Sequence, residues 1–194
     1  MTRPTISTVL AELGGWAALL LLSYWWLAIP EAAVWQLLGA ALLALFMLAL
    51  LTYLVTLAFT AGERRWAAAL RRVPRISPAV LLWGAATYCA LRYIDKEWLL
   101  APALAGLLII FGPLFAAGFA GFRRLRRTAV WIALALFALA GLYLPWRLMW
   151  WAPLHGSLSA EVVSAIVRFG AAGLLFAATW LLVGGAFSKP DPQP

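Results

Sequence analysis

Six stretches of the chain, residues 11 to 29, 34 to 59, 78 to 94, 98 to 121, 129 to 145 and 162 to 186, are apolar almost throughout, and arginine, proline and polar residues gather between them. About 20 apolar residues in helical geometry cross the hydrocarbon core of a bilayer. The pattern therefore predicts an all-α fold, a polytopic integral membrane helical bundle with six transmembrane helices. The connecting stretches are too short to build cores of their own. Residues 1–187 read as a single transmembrane domain, and the polar, proline-rich residues 188–194 as a disordered cytoplasmic tail.

The third stretch only just spans, with 17 residues from Pro78 to Ile94 and Arg92 among them, or about 26 Å at the α-helical rise. Ser77 before Pro78 has the order of an N-cap followed by proline at the first helical position. Just upstream, Trp66, Leu70 and Val73 recur at helical spacing, with Arg64, Arg65, Arg71, Arg72 and Arg75 beside and opposite them. That spacing predicts a short amphipathic interfacial helix between helices two and three. Its apolar face would lie among acyl chains and its arginines would meet anionic head groups, at about 1 kcal/mol per basic residue. The same arginines also serve simply as topogenic charge.

Composition supports the membrane reading. Of 194 residues, 65% are hydrophobic and 11% charged, against about 45 to 50% apolar in soluble domains. A net charge of +8 would point to nucleic acid in a soluble protein; here it reports orientation. With the N-terminus inside, eleven basic residues fall on the cytoplasmic side, and four, Arg92, Lys96, Arg147 and Arg168, fall outside. This predicts an N-in, C-in, multi-pass protein of the cell inner membrane. The first stretch reads as a retained anchor, since it is long, carries Trp25 and Trp26 near its outer end and lacks a small-x-small cleavage site.

Seven of the twelve tryptophans, Trp25, Trp26, Trp35, Trp98, Trp146, Trp150 and Trp151, fall at the outer boundary. Aromatic belts anchor membrane proteins there. The run around Trp146, Arg147, Trp150 and Trp151 is dense enough to offer a cation–π and stacking surface as well. Arg168, inside the sixth stretch, is a further ligand, lipid or partner contact, or a snorkelling side chain with Glu161 one possible partner. Gly170, Gly173, Ala177 and Gly184 form a small-residue face on the sixth helix, suited to internal packing or to self-association or docking of another membrane protein. Gly112 and Pro113 predict a kink in the fourth helix, the kind of feature that transporters place beside substrates. Thr52, Thr56 and Thr60 make a thin polar stripe suited to interhelical hydrogen bonds, and Glu12 lies near the inner end of the first helix. The second and fourth stretches both end in small residues followed by paired arginines, consistent with three helical hairpins or with positive-inside bias alone.

Catalytic chemistry finds little support. One cysteine, Cys89, forbids an internal disulfide, and one histidine, His155, forbids a bis-histidine site. Asp95 and Glu97 are the one close carboxylate pair, no glycine-rich phosphate loop is present, and His155 with Ser157 makes no nucleophile motif. No cofactor, metal or nucleic-acid partner is called for. The sequence favours a non-catalytic membrane subunit or scaffold packing against lipid or partner helices. The alternative is a small-molecule or lipid binding or transport component with a site near the outer face. The size and six-span count are similar to those of the substrate-capturing subunits of energy-coupling vitamin transporters, an architectural similarity that implies the second reading. Cysteine placed at Arg126 is expected to react with membrane-impermeant maleimide from the cytoplasmic side alone; reaction from outside would invert the topology.

Overall fold

The structure is a computed structural model that describes residues 6–30, 33–60, 65–150 and 158–189. It is helical over 94% of its length and contains no strand among the described residues. The helices are α1 (Ile6–Ala28), α2 (Val34–Ala58), α3 (Arg65–Tyr93) and α4 (Glu97–Ala117), then a 3-10 segment (Gly118–Arg126), α5 (Thr128–Leu136), a π segment (Phe137–Tyr143), α6 (Leu144–Trp150) and α7 (Leu158–Ser188). Five helical stretches are long and apolar enough to cross a membrane: Val9–Ala28, Val34–Ala58, Trp98–Arg126, Thr128–Trp150 and Ala160–Ser188. The chain is thus a helical bundle of membrane-protein character.

The expected third span and the expected interfacial helix are one element. α3 runs unbroken for 29 residues through both Pro74 and Pro78, so Ser77 does not start a helix. Proline at position 78 removes the N–H that would bond the Pro74 carbonyl. The Ser77 hydroxyl donates to that carbonyl instead, at 3.1 Å, which lets the helix continue. The arginines of its first half and Arg92 keep α3 outside the apolar class of the other five. The fifth span is similarly longer than its apolar core. Pro145 cannot bond the Gly141 carbonyl, and the turn before it opens into the π segment.

α7 is the hub, touching α1, α2, α4, α5 and α6, while α3 packs on α2 and α4. The core is aromatic and has Trp180 of α7 at its centre. Its indole meets Trp16 at 5.8 Å, Phe59 at 5.6 Å, Trp83 at 5.8 Å and Phe137 at 5.7 Å. Phe115 and Phe187 extend the cluster through Phe59. α1, α2, α3, the π segment and α7 thus each give a ring to the Trp180 cluster, and α4 joins it through Phe115. Such ring pairs add about 0.5 to 1.5 kcal/mol each beyond area burial.

This core occupies one half of the bundle. Buried residues of α2 run from Thr52 to Ala58, near its end, whereas Leu37, Leu38, Leu42, Leu45 and Phe46 in its first half are exposed. The far part of α1 matches, with Leu20, Leu21, Tyr24 and Leu27 exposed. The aromatic core lies where α2, α4 and α7 end, and the apolar side chains of α1 and α2 at the other end are left exposed. Two glycines permit the tight end: a side chain at Gly184 would run into the Ala58 carbonyl, and one at Gly121 into the Pro113 carbonyl. Gly184→Ala is expected to cost about 1–3 kcal/mol through overpacking, read as a lowered thermal transition in detergent. Gly170→Ala, in open space, should leave the transition unchanged.

Candidate functional site

The last carbonyls of a helix have no intrahelical donor, and the tight end of the bundle gathers three such termini. Arg72 of α3 answers two of them. Its Nη1 donates to the Phe59 carbonyl and to Thr60 Oγ1, both at 3.1 Å, and its Nη2 donates to the Phe115 carbonyl at 2.8 Å and the Ala116 carbonyl at 2.6 Å. One guanidinium therefore ties the end of α2 to the end of α4. Arg124 donates to the Phe187 carbonyl and Arg127 to that of Lys189, at 2.8 Å, which closes α7 in the same way. Burial, then the positive charges of Arg75 and Arg124, pulls the pKa of Arg72 below its ordinary value. Arginine nonetheless stays charged in proteins.

Arg72 lies on the stripe that includes the buried Ala69, Ile76 and Val80, with its guanidinium turned to the helix-end carbonyls. A helical wheel alone does not say which side of α3 meets α2 and α4. Arg71 and Arg75 remain exposed, as do Trp66 and Leu70 on the expected apolar face. Arg64 lies outside the described residues, and Arg65 is placed only as the first residue of α3. Beside Arg72 a groove of about 760 Å³ runs between α3 and the end of α4, bordered by Arg75, Pro78, Ala79, Leu114, Ala117 and Phe119.

At the opposite end Trp25, Trp35, Trp98 and Trp150 are exposed, the last two by 64% and 71%. Trp26 donates its Nε1 to the Ala40 carbonyl at 3.0 Å, clipping α1 to α2. Trp146 and Trp150 pair at 5.8 Å, and Arg147 with Leu144, Leu148 and Trp150 lines an open recess of about 400 Å³. Trp151 and His155 lie outside the described residues, as does the tail from Pro190 onward. Arg168 is not among the residues described around the recess; its Nε donates to the Ser164 carbonyl one turn back, at 3.3 Å. The structure thus brings Arg147, Trp146 and Trp150 together and gives Arg168 a bond within its own helix.

The small-residue face of α7 is used largely within the bundle. Gly173 meets Leu13 of α1, Gly184 meets α2, and Ala177 is fully buried, leaving Gly170 open. The space at Gly112, where the sequence left open a kink for packing or for a substrate, is taken up by the Phe187 ring. The threonine stripe bonds within its own helix, Thr52 to Leu48, Thr56 to Thr52 and Thr60 to Thr56, and Thr60 alone also takes up Arg72. Glu12 is fully buried. Trp180 gave no sequence signal, because the second half of α7 is apolar nearly all round and has no polar face to mark its buried side.

Comparison with protein-family models, with curated proteins and with solved structures finds no match. The geometry must therefore carry the functional reading. Arg72→Gln is expected to destabilise the protein by roughly 3 kcal/mol, the scale of one or two hydrogen bonds to a charged group, measured by thermal or denaturant unfolding in detergent. Arg72→Lys should recover only part, since an ammonium lacks the planar fork that spans two helix ends.

Proposed function

We propose that this chain is a non-catalytic integral membrane protein, multi-pass in the cell inner membrane with both termini cytoplasmic, that serves as a subunit or scaffold packing against lipid or partner helices. The observation that carries the reading is the uneven packing. Trp180 and its neighbouring rings fill the arginine-rich half, whereas the exposed leucines of α1 and α2, Trp35, Trp98 and Trp150 leave broad apolar surface on the other half. Surface of that kind is suited to lipid tails and to transmembrane helices of a partner. The positive-inside count supports the orientation, with α3 as the sixth crossing.

A second reading, a small-molecule or lipid binding or transport component near the outer face, draws on the recess at Arg147 and Trp150. Its openness fits a surface contact better than an enclosing site. Native mass spectrometry of gently extracted protein is expected to show retained lipid or a second polypeptide, weakened at least tenfold by Trp35→Ala combined with Trp150→Ala. A chain that carries nothing, or full retention by the double variant, would overturn the first reading. A small-molecule adduct lost in Arg147→Ala would favour the second.

A further inference from the structure

The groove beside Arg72 has the two chemistries of a phospholipid in the right order. Its charged end holds Arg72 and Arg75, and no carboxylate borders it among the described residues. Pro78 and Ala79 follow Arg75 at i+3 and i+4 and therefore lie one turn along the same face. That step leads toward the apolar half of α3, and Leu114 on α4 stands across from it. A cationic mouth thus opens onto an apolar floor. Phe119 at the mouth is 88% exposed, with Phe122 stacked on it at 6.5 Å.

Helix C-termini repel anions, and α4 ends at this groove. Arg72 removes that obstacle, because its Nη2 is taken up by the Phe115 and Ala116 carbonyls. Arg75 is different: among the described residues it has no hydrogen-bond or carboxylate partner. Arg75 and Arg124 also lie close enough for their positive charges to act on that of Arg72, a repulsion that a bound anion lowers. Arg71, Arg123 and Arg126 are exposed at the same end but do not border the groove.

We propose that this groove binds one anionic phospholipid of the adjoining leaflet, with its phosphate on Arg75 and an acyl chain laid between Pro78, Ala79 and Leu114 beneath Phe119. The site rests on the reading of the chain as a membrane protein. It does not depend on what covers the tryptophan-rich end: the Trp35 and Trp150 variants are expected to strip the adducts of that end and to leave one lipid in this groove.

The test titrates the purified full chain in neutral detergent with phosphatidylglycerol and with phosphatidylcholine, read by native mass spectrometry. One phosphatidylglycerol is expected to bind saturably, at least tenfold tighter than phosphatidylcholine. Arg75→Gln should erase the preference without moving the thermal transition, whereas Arg126→Gln should change it less than twofold. Ala79→Trp, which fills the floor, should block binding with the charges intact; Phe119→Ala provides the same apolar arm if that variant does not fold. Equal losses from Arg75→Gln and Arg126→Gln would show diffuse surface charge and overturn the site. Undiminished binding in the folded apolar-arm variant would remove the acyl chain from the groove. Displacement of the lipid by millimolar inorganic phosphate would make it a free-anion site.

Discussion

A helix that ends near a membrane surface leaves carbonyls without donors and carries about half a negative charge at its C-terminus. Water satisfies such groups poorly once the ends are packed together, and here three ends meet above an aromatic core. Arg72 resolves two of them with one planar group, whose Nη1 and Nη2 point to α2 and α4 respectively. Arg124 and Arg127 resolve the third, at α7. With the termini tied, the rings below them lie within 5.4 to 5.9 Å of one another. The clamp and the core are therefore one unit: the rings hold the helices at the spacing the guanidinium bridges.

That arrangement explains why α3 must be continuous. Arg72 reaches the bundle because it shares a face with Ala69, Ile76 and Val80, and those positions share a face only if helical phase is kept across Pro74 and Pro78. The Ser77 hydroxyl supports that phase by replacing the bond that Pro78 cannot make. A helix that began at Pro78 would detach Arg72 from the register of Ile76 and Val80. Two prolines that look like a boundary are in fact accommodated within the element that most depends on them.

Much of the fold was legible in the sequence, and the division has a physical basis. Apolar length marks helices that can cross a membrane, so five of the expected spans appear as long apolar helices with small shifts at their ends. What length and hydropathy do not encode is facing. Lipid tails and a protein core are equally apolar, so α2 and α4 have little periodicity, and nothing singled out Phe59 or Trp180. Facing also decided the arginines. Adjacent on the chain, Arg71 and Arg72 differ by about 100° on a helix, which separates an exposed charge from a clamp. The outer tryptophans were readable as exposed, because aromatic clustering at span ends is itself a sequence signal. Their joint setting was only partly readable, since Arg147 and Trp150 meet by local spacing whereas Arg168 is held by its own helix.

The same facing gives the charge asymmetry a second meaning. Helices that run toward the arginine-rich side end there with their negative poles, so basic residues placed for topology find carbonyl partners at α2, α4 and α7. Of the three helices that finish at the opposite side, α3 and α6 have Arg92 and Arg147 in their last turns, where cations also complement the dipole, and α1 has no basic residue there. The basic residues that the sequence assigns to one side thus include those that cap the helix ends. It follows that a net +8 overstates the charge free to meet a membrane surface. Arg72, Arg124 and Arg127 already face carbonyls, and the charge left over for lipid concentrates on exposed residues such as Arg71, Arg75, Arg123 and Arg126. Of these Arg75 alone borders a groove with an apolar floor, which separates a selective contact from a merely attractive surface.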